Sequence, residues 1–436
     1  MGKTIAEKIL SAHAGRDLKA GDIAICKVDF CFGQDGTSSL IIDGFQKSKR
    51  RAVFDPTKFC MVIDHSAPSP NTGVSEIHKK MRQFAKKMSV GLYDVGCGVC
   101  HVIIPEMGHV KPGLLILGAD SHTCTYGALN ALSTGVGSTD LAITLISGKN
   151  WFKVPESVRI EINGSLKNGV YSKDVILHII GDMGANGCTY NSIEFYGDTI
   201  KHFSLDARFT VTNMAVEIGA KFGVMEADEK VKFFLKNTSK IRTRIAPVKA
   251  DKDAHYVKVK KYDVSELEPM IAKPHAVDNV SAISKIRNIK IDEAYIGTCT
   301  NGRFEDLKIA AGILRNRKVN KNVRCIIAPA SAGIFEDAIN AGYIRTFIEA
   351  GCVVVSPGCG PCVGTHEGVL ADGEVAISSA NRNFKGRMGN PNSFIYLASP
   401  ATVAASAIEG KIADSRNYYN ESRGHRSTRS HVTGNT

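Results

Sequence analysis

The chain of 436 residues is long enough for two or three domains, and its 43% hydrophobic content excludes a disordered or fibrous protein. No apolar run reaches the about 18 to 20 residues of a membrane span, and the start MGKTIAEKIL has neither a signal-peptide core nor an N-myristoylation pattern, so a cytoplasmic protein without membrane association is expected. The formal charge of +12 gathers in KIRTRIAPVKADKDAHYVKVKK (240–261) and the tail ESRGHRSTRSHVTGNT; with no aromatic-interleaved basic motif or zinc-finger spacing beside it, it reads as solvated surface or attraction for an anionic substrate, not as a nucleic-acid interface.

In chain order, TIAEKILSAHAG (4–15) and EIHKKMRQFAKKM (76–88) have helical spacing, and LLILGADSHT (114–123) reads as a buried strand opening into a polar loop. A first domain boundary is placed near Trp151, where GVGSTDLAITLISGKN passes into VPESVRIEING, and a second in the charged, Pro-containing stretch before Lys285. Beyond it, EAYIGTCTNG (293–302), VRCIIAPAS (323–331) and CVVVSPGCG (352–360) repeat the strand-to-loop pattern, with the helical EDLKIAAGILRN (305–316) among them. Strands alternating with helices predict an α/β fold with largely parallel sheets, whose ligands gather at the carboxyl ends of the strands. The expected division is 1–152, 153–285 and 286–413, each of ordinary domain size, followed by a disordered basic tail, 414–436.

The twelve cysteines form no dense framework, and several, such as Cys60, Cys325 and Cys352, lie in apolar stretches, as free thiols in a reducing compartment do. Cys359 and Cys362, in SPGCGPC, have a spacing that serves a shared metal or a redox disulfide. Pro361 between them and the flanking Gly358 and Gly364 favour a tight ligand turn over the helix start of a thioredoxin-like site. A zinc site with Cys97 and Cys100 is a rival, although those pairs are separated far more widely than in zinc ribbons. Cys299, at the end of a predicted strand, makes a better third ligand, and three thiolates suit a four-iron cluster with one iron left open.

These stretches resemble the aconitase superfamily, in particular the large subunits of its two-subunit isopropylmalate dehydratase and homoaconitase group. The matching motifs are QDGT (34–37), IDH (63–65), GVCH (98–101), GADSHTCTYGAL (118–129), STGVGSTD (133–140), NMAVEIGA (213–220), GTCTNGR (297–303), PGCGPC (357–362), NRNFKGRMG (381–389) and ASP (398–400). The resemblance implies three α/β/α domains around a cluster-containing cleft, without the swivelling fourth domain of single-chain aconitases, which a separate small subunit would supply. It implies a [4Fe-4S] cluster on Cys299, Cys359 and Cys362 with one iron lacking a protein ligand, and a substrate that is a small hydroxy di- or tricarboxylate. By the same likeness Asp64 and His65 form an acid pair for the departing hydroxyl, and His101 and Asp120 a second pair. His122 and Glu217 stand near the iron-bound water. Gln34, Ser121, Arg382 and Arg387 meet the substrate, the arginines through bidentate contacts to carboxylates. Asn213, Asn301 and Asn381 support the cluster, and Asn213 is expected on one helix face with Glu217, four residues later. Cys97 and Cys100 are taken as incidental, and His78, His178 and His366 as structural. Cys100 and Val102 around His101 depart from the family pattern. The expected reaction is dehydration and rehydration of 3-isopropylmalate, with homocitrate-, citramalate- or dimethylmalate-type acids as alternatives. An RNA-binding relative without a cluster and a zinc-stabilised scaffold are the readings from other classes.

Overall fold

The computed structural model describes residues 2–238 and 247–419. The chain forms a mixed α/β structure built on three large sheets, two of them wholly parallel.

The N-terminal sheet runs in the order Gly91–Tyr93, Phe59–Val62, Phe30–Gln34, Leu115–Gly118, Leu132–Gly135. Its central strands are buried end to end, as parallel strands covered on both faces must be. Helix Asp35–Lys47 packs between helices Thr72–Met88 and Ser138–Ser147 on one side. Thr72–Met88 begins where the Asn71 side chain accepts a hydrogen bond from Val74 N, and it buries His78, Met81, Phe84, Ala85 and Met88, a spacing that puts one stripe on the core. Helix Ile5–Ala14 opens with a capping box between Thr4 and Glu7.

The second sheet runs Phe222–Met225, Ser192–Tyr196, Ser157–Asn163, Lys258–Asp263. The third has seven strands in the order Val280–Ala282, Met270–Ala272, Phe394–Leu397, Val375–Ser378, Glu293–Ile296, Arg324–Ile327, Val353–Val354. Met270–Ala272 pairs antiparallel with both its neighbours, and the five strands from Phe394–Leu397 to Val353–Val354 are parallel to one another. Residues 270–282 therefore join the sheet of the C-terminal segment, pairing with Phe394–Leu397 through Ala272 and Leu397.

The tail departs from expectation. Residues 414–419 are seated on the body: Ser415 Oγ donates to Gly169 O at 3.0 Å, Arg416 pairs with Asp414 at 2.6 Å, and the Tyr419 hydroxyl meets that of Tyr171. The rest of the tail, 420–436, and part of the basic stretch, 239–246, lie outside the described residues. Among the described residues no helix is long and apolar enough to cross a membrane.

The first two sheets meet at almost bare backbone. A Cβ on Gly127, in the 3₁₀ stretch Ser121–Leu129, would lie 1.6 Å from Gly223 O. Gly312, on the exposed side of helix Phe304–Leu314, has nothing within 4 Å of the same position. Gly127→Ala is therefore expected to lower stability by about 2–3 kcal/mol, because backbone must move apart. Gly312→Ala should raise it by about 0.5–1 kcal/mol, because alanine restricts the unfolded chain and prefers the helix. Thermal unfolding of the two variants checks both signs.

Candidate active site

The polar residues singled out in the sequence lie almost entirely at carboxyl ends of parallel strands. Asp64 and His65 follow Phe59–Val62, Asp120 to His122 follow Leu115–Gly118, Cys299 follows Glu293–Ile296, Cys359 follows Val353–Val354, and Asn381 and Arg382 follow Val375–Ser378. The exceptions are His101, in helix Cys100–Glu106, Asn213, at the end of helix Leu205–Asn213, and Glu217, in a 3₁₀ stretch, Met214–Ile218, before strand Phe222–Met225.

Asp120 is the hub. One carboxylate oxygen accepts from His101 Nε2 at 2.7 Å and from His122 N at 2.9 Å, and the other lies 3.3 Å from His65 Nε2. His65 Nδ1 is 2.7 Å from Asp64 Oδ1, and the second Asp64 oxygen accepts from Cys100 N at 2.6 Å. His122 Nε2 meets Glu217 at 2.9 Å, Arg382 Nε donates to the same Glu217 oxygen at 2.7 Å, and Arg382 also donates to Ser121 Oγ at 2.9 Å. One polar chain thus runs from Asp64 to Arg382 through residues of all three sheets' segments.

Electrostatics follow from this crowding. Burial by itself would raise the Asp120 pKa, but His101, His122 and His65 hold it well below the ordinary carboxylate value. Burial opposes charge on His65, yet Cys359, Asp64 and Asp120 together hold its pKa well above that of a free histidine. Glu217 is lowered because His122 and Arg382 outweigh its burial.

The second half of the site is a group of three buried thiols. Cys299, Cys359 and Cys362 are free and buried. Cys359 caps a 3₁₀ turn, Gly360–Val363, that contains Cys362 and is closed by Gly364 at φ +70°, the tight turn that the sequence predicts. Asn213 Nδ2 donates to Cys299 Sγ at 3.3 Å, Asn381 Nδ2 approaches it at 3.7 Å, and Arg387 donates to Cys362 Sγ at 3.3 Å. Burial and the neighbouring Cys362 push the Cys299 thiol up to about 11, and burial also raises Cys359.

Several expected placements change. Asn213 ends helix Leu205–Asn213 and Glu217 follows in the 3₁₀ stretch, so they share no continuous helix face: Asn213 turns to Cys299 and Glu217 to His122. Gln34 spends its side-chain oxygen capping helix Asp35–Lys47 at Gly36 N, and only its amide nitrogen is without a partner among the described residues. Asn301 reaches Thr210 and Asp306, not a cluster thiol. Arg387 points at Cys362. His78 lies 3.4 Å from Asp35, and His366 Nε2 3.1 Å from His65 O. Val102 is fully buried, next to His101 in helix Cys100–Glu106.

Asp35 is a site residue that the sequence motifs do not single out. Its carboxylate accepts from the backbone of Asp64, His65 and Ser66 at 3.2, 2.8 and 2.8 Å and fixes the loop that carries the acid pair. The signal was present in QDGT, since an aspartate at a helix start readily binds backbone N–H groups. Arg303, which donates to His101 O at 3.2 Å while stacking 4.0 Å over Phe209, had no such signal.

A sequence model of the aconitase family (aconitate hydratase) matches residues 7–287 and 281–410. The chain belongs to the aconitase family. It is 51% identical over 420 residues, 96% of this chain and 100% of the relative, to the "3-isopropylmalate dehydratase large subunit 2" of Archaeoglobus fulgidus. It is 50% identical over the same shares to "3-isopropylmalate dehydratase large subunit 1" of Thermotoga maritima. It is 47% identical over 415 residues, 94% of this chain and 96% of the relative, to the "probable methanogen homoaconitase large subunit" of Methanothermobacter thermautotrophicus.

The aconitase family implies a [4Fe-4S] cluster, and the residues present fit one. Three buried free thiols suit a metal, burial and the neighbouring Cys362 raise both Cys299 and Cys359, and N–H donors from Asn213 and Arg387 are already aimed at two of the sulfurs. His101 Nδ1 and Asn381 Oδ1 are buried without partners among the described residues, leaving polar atoms for a bound group. Asp64, His65 and Cys359 also converge within 4.8 Å, but the first two are engaged with each other.

The geometry makes Asp64 responsible for part of the elevated pKa of His65. In the metal-free chain, NMR titration should find the His65 midpoint above that of a free histidine, and Asp64→Asn should move it down, since an opposite charge is removed. An unmoved midpoint would contradict the pairing.

Proposed function

We propose that this chain is the cluster-bearing large subunit of a [4Fe-4S] hydro-lyase that isomerises a hydroxy acid by dehydration and rehydration, and that the acid is 3-isopropylmalate. The observation that carries the reading is the joining of the Asp64–His65–Asp120 chain to a group of three buried thiols, with Arg382 at its far end. The names of relatives about half identical over nearly the whole chain support the same choice.

In this reading Cys299, Cys359 and Cys362 hold the cluster, with Asn213, Asn301 and Asn381 around them. The cluster's open iron supplies Lewis-acid help to the departing hydroxyl. His65 delivers the proton from Nε2, the nitrogen turned away from Asp64, so the Asp64 carboxylate stabilises the charged ring and fixes its orientation. Asp120 orients His101 and His65 together, and His122 and Glu217 hold the water returned in the second half-reaction. Arg382 leaves Glu217 and Ser121 to fork onto a substrate carboxylate, with Ser121, the remaining amide nitrogen of Gln34 and the Arg387 nitrogens not engaged by Cys362 completing the anion site. The substrate lies among three α/β units, 1–152, 153–285 and 286–413, and a small subunit carrying a swivelling domain closes over it in the cytoplasm.

A tricarboxylate is the second reading, favoured by the homoaconitase-named relative at 47% identity. The isolated chain should be nearly inactive, and adding the matching small subunit should restore turnover of isopropylmalate. Full activity alone would overturn the two-subunit reading, and activity on homocitrate-type acids only would replace the substrate. In the assembled enzyme His65→Ala should lower kcat about 10²- to 10⁴-fold with little change in KM, since acid help appears chiefly in the transition state. Arg382→Lys should instead raise KM.

A further inference from the structure

Lys173 has no role in the chemistry above, yet it is among the most fully enclosed charged side chains in the molecule, at 0% exposure. It sits in the first turn of helix Ser172–Met183, where the dipole disfavours a cation, and burial pushes its pKa down to about 7 against the pull of Asp306, Cys362 and Cys299. An apolar side chain would fill the same space without those penalties. What an apolar side chain could not do is meet the two backbone carbonyls that converge there: Nζ donates to Ser379 O at 2.9 Å and to Ala380 O at 2.6 Å.

Those carbonyls belong to the turn that leaves strand Val375–Ser378 and runs directly into Asn381 and Arg382. The turn is anchored on its other side to the strand before Cys299: Ser379 N donates to Tyr295 O at 2.9 Å, and Gly297 N donates to Ser379 Oγ at 3.0 Å. Asn381 then reaches Thr300 Oγ1 at 3.1 Å, and Arg382 reaches Glu217 and Ser121. Lys173 comes from the segment between the first and third sheets, so its two hydrogen bonds fix that segment to the turn bearing the arginine.

We infer that Lys173 is a positioning residue for substrate binding: it clamps the Ser379–Ala380 carbonyls so that Arg382 is presented to the substrate carboxylate in one orientation. This rests on the proposed anion-binding role of Arg382. A lysine that merely stitched a helix to a sheet would affect stability and leave binding alone. A positioning lysine acts through Arg382, and its loss is felt in substrate affinity and becomes invisible once Arg382 has lost its fork.

The test uses the assembled two-subunit enzyme with Lys173→Met and Lys173→Gln, each alone and combined with Arg382→Lys. Isopropylmalate affinity is measured by calorimetry and by KM, and iron and sulfide are assayed in every sample. Lys173→Met should weaken isopropylmalate binding about 10- to 100-fold, the range for losing charge-assisted hydrogen bonds, with a smaller fall in kcat and unchanged iron and sulfide. Lys173→Gln, which keeps one donor, should fall between, and it carries the same test if Lys173→Met does not fold. Combined with Arg382→Lys, either variant should add less than about twofold, because the two residues serve one contact. Losses that multiply in full, or a lowered melting temperature with unchanged affinity, would overturn the inference. Wild-type enzyme that ignores isopropylmalate but binds a tricarboxylate would refute the substrate choice alone, and the same coupling would then be read on that acid.

Discussion

The Asp120 carboxylate is the constraint on which the site depends. Its side chain is only 13% exposed, and a carboxylate so far withdrawn from water keeps its charge only if donors surround it. The donors are His65, His101 and the backbone of His122, which arrive on three different stretches of the first sheet's loops. Satisfying one buried charge therefore fixes the imidazoles relative to one another. Glu217 repeats the arrangement one step outward, holding His122 on one side and Arg382 on the other.

The sheets bring these groups together by their polarity. In the first and third sheets the strands deliver their carboxyl ends to the site, where loop residues are free to be polar and glycine-rich. The second sheet contributes differently. Its strand Phe222–Met225 lies so close to the 3₁₀ stretch Ser121–Leu129 that Gly127 and Gly223 touch through bare backbone, and Glu217, just upstream, is carried to His122. Thr212 Oγ1, donating to Thr125 O at 2.8 Å, and Asn213, donating to Thr125 Oγ1 at 2.8 Å, fasten the same contact.

Much of this was legible in the sequence because strand ends that open into Gly-, Asn- and Cys-containing loops carry a local signal. The strands around LLILGADSHT, EAYIGTCTNG and VRCIIAPAS, the tight turn at Cys359 and Cys362, and the adjacency of Asp64 and His65 needed only short-range reasoning. What was not legible depends on distant partners or on competition for a side chain. The helix through Asn213 gives way to a 3₁₀ stretch before Glu217, a change that propensity does not reveal. Gln34 is drawn from the cleft to a helix cap by the nearest backbone N–H. The pairing of Met270–Ala272 with Phe394–Leu397 joins residues far apart in the chain, and the seating of residues 414–419 depends on Gly169 and Tyr171. Lys173 looks like a surface residue until Ser379 and Ala380 are seen to converge on it.

The central claim is that the three thiols beside this network hold an iron-sulfur cluster, and metal analysis of anaerobically prepared chain tests it most directly. The account predicts about four irons and four sulfides per chain, abolished by Cys359→Ser and kept by Cys100→Ser, whose thiol is as buried but lies outside the ligand set. Full iron and sulfide in Cys359→Ser, or zinc without sulfide in the unaltered chain, would contradict it.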